Sequence, residues 1–265
     1  MTRERPVPRS TRARRTARLV RHLAGVYASA VWRAPRLEPA ERRELAVRFA
    51  REMLDDVLQV RLHVRGTPRE RTPALIVANH VSWLDMYVLN AVAGARFVAK
   101  SEVRGWPFFG TIATRFDTFF IVRGSYRDAG RMRIAVARAL GLGERVAVFP
   151  EGTTTDGTTV GRFFPALFQA AIDARAPVQP VALRYRDTHG RPSAAPVFVG
   201  DTTVLASVRQ VLREPVLSAE AILGPSLDPA GRTRRELAEQ LAAFVAGQPL
   251  PGTVADRAPT VRDGA

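Results

Sequence analysis

Cysteine is absent from the 265-residue chain. Disulfides, thiolate metal ligands and a cysteine nucleophile are therefore excluded. Lysine is nearly absent: Lys100 is the only one, and the other 39 of the 40 basic side chains are arginine. Acidic side chains number 25, too few to balance the basic ones, and the net charge is +15. Apolar runs are short; none approaches the roughly 18 residues that a membrane-spanning helix needs. The basic start is not followed by an apolar core and a small-residue cleavage site, so no secretory leader is expected. No Gly-x-Ser-x-Gly elbow occurs, which argues against a covalent acyl-enzyme on serine. No Gly-Lys-Ser/Thr ending occurs either, so the glycine-bearing turns are not nucleotide loops.

What is present in excess is positive charge. It attracts polyanions, either nucleic acid or a membrane surface rich in anionic lipid. The arginines are spread along the chain, with no helix-turn-helix or RNA-binding signature, so nucleic acid is not the expected partner. A basic non-catalytic protein that binds membranes or nucleic acid is the alternative from a different class.

The chain divides by pattern. Residues 1–16 hold arginine and proline with little to bury, and read as a disordered basic tail. Residues 17–60 read as a small helical region. In its first helix Leu19, Leu23, Val26, Tyr27 and Ala30 recur at helical spacing among arginines. Such a helix either lies in a membrane interface or packs on its own domain. Pro35 and Pro39 interrupt it, and a second helix is expected over about 40–60, with Leu45, Phe49, Met53 and Val57 on one face.

From about residue 61 to 247, short β-branched or aromatic runs alternate with helical stretches. Strands are expected at 74–78, 96–99, 118–122, 146–149, 178–183, 197–199 and 217–223. Helices are expected at 83–93, 127–141, 163–175 and 202–213. A last helix opens on the capping box Thr233-Arg-Arg-Glu236. The alternation indicates an α/β fold with a mostly parallel central sheet flanked by helices. Residues 248–265 read as a flexible tail.

Three strand ends carry polar clusters. The run 74–78 leads into Asn79-His80-Val81-Ser82-Trp83-Leu84-Asp85. Sites in open α/β sheets form beyond the carboxyl ends of strands, which is where His80 falls. On one continuous helix, residues five apart lie about 140° apart and do not share a face. His80 and Asp85 meet only if His80 sits in the turn before the helix and Asp85 in its first turns. So placed, a neutral imidazole takes a proton from a substrate hydroxyl, and the carboxylate fixes its tautomer and steadies the imidazolium. Taken alone, a histidine near an aspartate is more often a loop-filling residue than a base. His22, His63 and His189 have no comparable setting.

The run 146–149 ends in Pro150-Glu151-Gly152-Thr153, where Glu151 is placed to position a hydroxyl or a basic group and Gly152 permits a tight turn. Phe119-Phe-Ile-Val-Arg123 delivers a guanidinium suited to a phosphate or carboxylate. Lys100 ends another predicted strand.

Together the blocks Asn79-His80-x4-Asp85, Gly110 with Thr118-Phe-Phe-Ile-Val-Arg123, Phe149-Pro-Glu-Gly-Thr153 and Val178-Gln-Pro180-Val-Ala-Leu183 resemble the bacterial lysophospholipid (glycerolipid) acyltransferase family, the relatives of 1-acyl-glycerol-3-phosphate acyltransferase. The resemblance covers about residues 61–200, and four blocks in order reverse the weighing for His80. It implies acyl transfer from acyl-CoA or acyl carrier protein to a lysolipid hydroxyl, with His80 as general base and Asp85 as its partner. It also implies that Arg123, Glu151, Gly152, Thr153 and Lys100 bind the acceptor head group and that Pro180 shapes the acyl or acceptor channel. No metal and no further cofactor is expected. The implied acceptor is lysophosphatidate, giving phosphatidate. The continuation Thr154-Thr-Asp156-Gly157 and the segment 97–107 are similar to a branch that acts on lyso-ornithine lipid, which stands as the alternative. The implied location is the cytoplasmic face of the inner membrane, peripheral, against an anionic surface.

Overall fold

The structure, a computed structural model, describes residues 7–66, 73–122, 124–200 and 202–247. The expected flexible tail at 248–265 and residues 1–6 of the expected basic tail lie outside the described residues.

Seven strands form one sheet: β1 (Val60–Arg65), β2 (Ala74–Ala78), β3 (Arg96–Lys100), β4 (Phe119–Ile121), β5 (Arg145–Val148), β6 (Val178–Arg186) and β7 (Leu217–Leu223). Their order across the sheet is β1-β7-β6-β2-β5-β3-β4. All neighbouring pairs are parallel except β6 with β7. β2 is buried along its whole length, as expected of a strand covered on both faces, and its sequence is accordingly a continuous apolar run.

Among the described residues, eight α-helices flank the sheet: α1 (Arg9–Trp32), α2 (Pro39–Glu52), α3 (Leu84–Ala93), α4 (Phe109–Arg115), α5 (Tyr126–Gly141), α6 (Phe168–Ala174), α7 (Val204–Arg213) and α8 (Arg234–Gly247). One core cluster joins Leu19 of α1, Ala50 of α2, Leu84 and Val88 of α3 and Val211 of α7 to one face of the sheet. The other joins Met132 and Val136 of α5, Phe168 of α6 and Leu237 and Leu241 of α8 to the opposite face. The α8 capping box forms as its sequence predicts: the Thr233 amide donates to Glu236 Oε2 at 2.7 Å and the Glu236 amide to Thr233 Oγ1 at 3.3 Å.

Four expectations need correction. Residues 9–16, read as tail, form the first turns of α1. The reason is Arg15, a buried arginine that supplies polar partners instead of apolar area. Its guanidinium donates to the carbonyls of Leu212, Glu214 and Pro215 and to Gln59, anchoring the helix to the end of α7. The second helix ends at Glu52 and continues as a π-helical turn, Met53–Leu58, closed by left-handed Gln59 at φ 57°. The segment 163–175 is helical only from Pro165, first as a 3₁₀ turn and then as α6. Residues 197–199 form no strand; the Phe198 amide instead donates to the Val81 carbonyl at 3.1 Å, so a β-like Val-Phe-Val run serves as a loop across the end of β2. The short helix α4 was not expected at all. The sequence periodicity of α1 also resolves: Leu19, Val26 and Ala30 are buried against the domain, while Val20 and Trp32 stay exposed.

Candidate active site

β2, β5, β3 and β4 run parallel and lie side by side. The segments that follow them therefore emerge along one edge of the sheet. His80 follows β2, Glu151 and Gly152 follow β5, and Lys100 closes β3. Arg123 lies outside the described residues.

The His80–Asp85 geometry is the one that the spacing requires. His80 sits in the turn after β2 and Asp85 in the first turn of α3. His80 Nδ1 is 2.8 Å from Asp85 Oδ2. The same oxygen accepts the amides of Val81 at 2.7 Å and Ser82 at 2.8 Å. The other oxygen, Oδ1, accepts the Tyr185 hydroxyl at 2.6 Å. Asp85 is 0% exposed, and four donors compensate its buried charge. Two backbone amides on Oδ2 keep that oxygen an acceptor, so Nδ1 carries the proton and Nε2 holds the lone pair. The His80 side chain is 22% exposed, and among the described residues nothing hydrogen-bonds Nε2. The imidazole stacks on Phe149, centroids 4.0 Å apart and planes 13° apart, which fixes its tilt.

The turn around His80 is tied down on every side. Asn79 bonds the Leu183 backbone in both directions, Nδ2 to the carbonyl at 3.1 Å and Oδ1 from the amide at 2.8 Å, lashing the end of β2 to β6. The Thr155 amide donates to the His80 carbonyl at 2.8 Å. Thr154 donates its hydroxyl to the Phe198 carbonyl, closing the loop over Val81.

Glu151 is 5% exposed. Its Oε2 accepts the His80 amide at 3.4 Å and its Oε1 the Gly161 amide at 3.2 Å. Burial outweighs these bonds and raises its pKa from 4.5 to about 7. The carboxyl braces the His80 turn from inside rather than lying open to a ligand. Gly152 adopts φ 69° and its amide donates to the Phe149 carbonyl at 3.0 Å, the tight turn that a side-chained residue adopts at a cost.

The remaining predicted residues are not gathered at the pair. Thr153 is exposed, and Thr155, two residues on, makes the contact with the His80 turn. Lys100 is exposed at the end of β3, with no hydrogen bond or ion pair to the pair among the described residues. Pro180 is buried in β6 on the face of Ala182, opposite to Leu183 and Tyr185, and its ring neighbours Gly224 and Phe244. It packs the side of the sheet away from Asp85. Tyr185, Phe149, Thr155 and Phe198 had no assigned role from sequence. A signal for Tyr185 existed: it shares strand parity with Val181 and Leu183, hence the face against which α3 packs. Among the described residues no cluster of His, Asp and Glu is arranged to hold a metal ion.

Residues 59–184 match the acyltransferase family. The chain is 37% identical over 232 residues to the lyso-ornithine lipid O-acyltransferase of Pseudomonas aeruginosa, covering 85% of this chain and 88% of that one. It is 40% identical over 161 residues to the 1-acyl-sn-glycerol-3-phosphate acyltransferase of Neisseria meningitidis, covering 60% and 63%. Its fold is similar to that of the 1-acyl-sn-glycerophosphate (LPA) acyltransferase crystal structure from Thermotoga maritima, with TM-score 0.61 at 19% identity over 89% of this chain and 95% of that one.

Proposed function

We propose, from the premise that this chain belongs to the acyltransferase family and is an O-acyltransferase, that it moves a fatty acyl group from an acyl-thioester to the free hydroxyl of a lysolipid, with His80 as general base. The observation that carries this reading is the oriented imidazole: Nδ1 is bonded to a buried carboxylate at 2.8 Å and Nε2 is left without a partner among the described residues.

The chemistry follows from that orientation. The acceptor hydroxyl lies against Nε2. As its oxygen attacks the thioester carbonyl carbon, its proton passes to Nε2. The imidazolium that forms is stabilised by Asp85. The tetrahedral intermediate collapses, the carbon–sulfur bond breaks, and the thiolate leaves with the proton from Nε2. The nucleophile belongs to the acceptor, in keeping with a chain that has no cysteine and no serine elbow.

For the acceptor, lyso-ornithine lipid takes precedence over lysophosphatidate. Relatives matched over most of the chain carry the first name, covering 85% and 76% of it, whereas those with the second cover 60% and 51%. The donor is an acyl-thioester on coenzyme A or acyl carrier protein. Arg123 and Lys100 are the head-group candidates: Lys100 closes β3, and Arg123 comes two residues after β4 in the sequence. The enzyme works peripherally at an anionic membrane surface, on the cytoplasmic face of the inner membrane. The net charge of +15 and the exposed Trp32 and Trp106 support that placement, and no helix among the described residues is long and apolar enough to cross a membrane.

The test is turnover by purified protein with each acceptor against acyl-CoA and acyl-carrier-protein donors. Diacyl product with either acceptor is expected, and its loss in His80→Ala. Full activity in His80→Ala removes the mechanism; product from lysophosphatidate alone reverses the choice of acceptor.

A further inference from the structure

We infer that Tyr185 is a positioning residue for acyl transfer, acting through Asp85 to set the direction of His80 and the charge that faces it. The inference rests on the reading of His80 as the base.

The geometry divides the Asp85 carboxylate into two halves. Oδ2 faces the reaction and serves His80 Nδ1 and the amides of Val81 and Ser82. Oδ1 faces the sheet, and its protein donor is the Tyr185 hydroxyl at 2.6 Å. The three donors on Oδ2 come from one turn and leave the carboxylate free to pivot about that oxygen. Tyr185 comes from β6, 100 residues along the chain, and is the point that stops the pivot. The phenol is itself enclosed: it is 6% exposed and belongs to the core cluster that includes Leu183 and Leu217. Burial, then the nearby Asp85 charge, hold its proton on well above the ordinary phenol range, so it donates at every working pH.

Two consequences follow for the base. Without the hydroxyl, Oδ1 is buried with no donor among the described residues, and the carboxylate turns to share the Val81 and Ser82 amides between its oxygens. His80 keeps a carboxylate partner, but no longer one held in a single orientation. Charge that the phenol drew toward Oδ1 also returns to the oxygen facing the imidazole, strengthening its pull on a positively charged ring. The titratable groups bonded to the His80–Asp85 segment are Glu151, from the turn after β5, and Tyr185, from β6. Glu151 is unchanged by the substitution.

The experiment is steady-state kinetics of full-length Tyr185→Phe across pH, beside wild type and His80→Ala. The variant is expected to lose about 10- to 100-fold in kcat, the order expected for a hydrogen bond to a charged group. Acceptor KM should stay within twofold, and the acidic limb of the pH–rate profile should move to higher pH. A kcat within twofold of wild type with an unmoved limb overturns the proposal. So does a raised KM at constant kcat, which marks an acceptor contact. Activity retained in His80→Ala removes the underlying reading instead; loss there with Tyr185→Phe unaffected removes only this one. If Tyr185→Phe does not fold, 3-fluorotyrosine at position 185 decides. A stronger donor of nearly the same shape should move the limb to lower pH, and an unmoved limb overturns the proposal.

Discussion

Replacing Asp85 by Asn removes a charge and keeps a shape, and the structure indicates which way the new amide turns. Two backbone amides, from Val81 and Ser82, point at Oδ2 and cannot become acceptors. The Asn oxygen must take that place, leaving its NH₂ toward Tyr185, whose hydroxyl rotates to accept. His80 Nδ1 still meets an oxygen, so the imidazole keeps its tautomer and Nε2 remains a base. What disappears is the attraction between carboxylate and imidazolium. Two unit charges roughly 4 Å apart at an effective dielectric near 20 attract by about 4 kcal/mol. That corresponds to nearly a thousandfold in rate. Because the His80 side chain is 22% exposed, water recovers part of this, and a fall in kcat of about 10²–10³-fold is expected. The assay is single-turnover acyl transfer with acceptor saturating, beside His80→Ala and with melting curves for all variants. A rate within threefold of wild type refutes the charge argument. A rate as low as that of His80→Ala refutes the pinned oxygen, because it means that the tautomer has inverted.

Three further outcomes are expected. Glu151 carries a proton in the folded chain that the unfolded chain releases between pH 4.5 and about 7, so its contribution to stability falls as pH rises through that window and stays low above it. Glu151→Gln imitates the protonated form; wild type should melt progressively lower relative to this variant between pH 5 and pH 8, and a constant difference contradicts the assignment. Arg15→Met keeps much of the stem but strips donors from the carbonyls of Leu212, Glu214 and Pro215, with a loss of about 1–3 kcal/mol in urea unfolding and faster hydrogen exchange in the first turns of α1. A Cβ added to Gly110 would lie 2.2 Å from the Arg104 carbonyl oxygen, so Gly110→Ala should destabilise by roughly 1–3 kcal/mol or more, read from thermal melting.

The edge that carries His80 is legible because it depends on local order. An apolar run, a polar turn and a helix start place His80 and Asp85 within six residues of each other, and the requirement that they flank a helix boundary follows from helix geometry alone. The strands that carry Glu151 and Lys100 are legible for the same reason. Tyr185 is legible only in part: strand parity gives its face, but Arg-Tyr-Arg at the end of an apolar strand reads as ordinary edge chemistry until β6 is known to lie beside β2. Arg15 misleads in the opposite sense: arginine-rich sequence looks unable to bury area, yet a guanidinium that finds three carbonyls substitutes donors for hydrophobic contact. Residues 197–199 have strand propensity without a strand to pair with, and Phe198 gives its amide to the Val81 turn instead.

β6 has a second consequence, for the order in which the molecule is made. Its first residues pair with β2, but from Ala182 onward it runs beyond β2, and its register partners there lie on β7. Tyr185 stands on that overhang. β1, synthesised early, also has β7 as its only strand neighbour among the described residues. At 5–20 residues per second, the ribosome takes roughly 8–30 s to pass from β1 to β7. During that interval β1 is an unpaired edge, open to association with other chains. The turn bearing His80 is translated in the first third of the chain, yet the wall behind it is finished only after residue 223 has left the exit tunnel. The nascent chain thus contains both His80 and Asp85 long before it contains the strand that completes their surroundings.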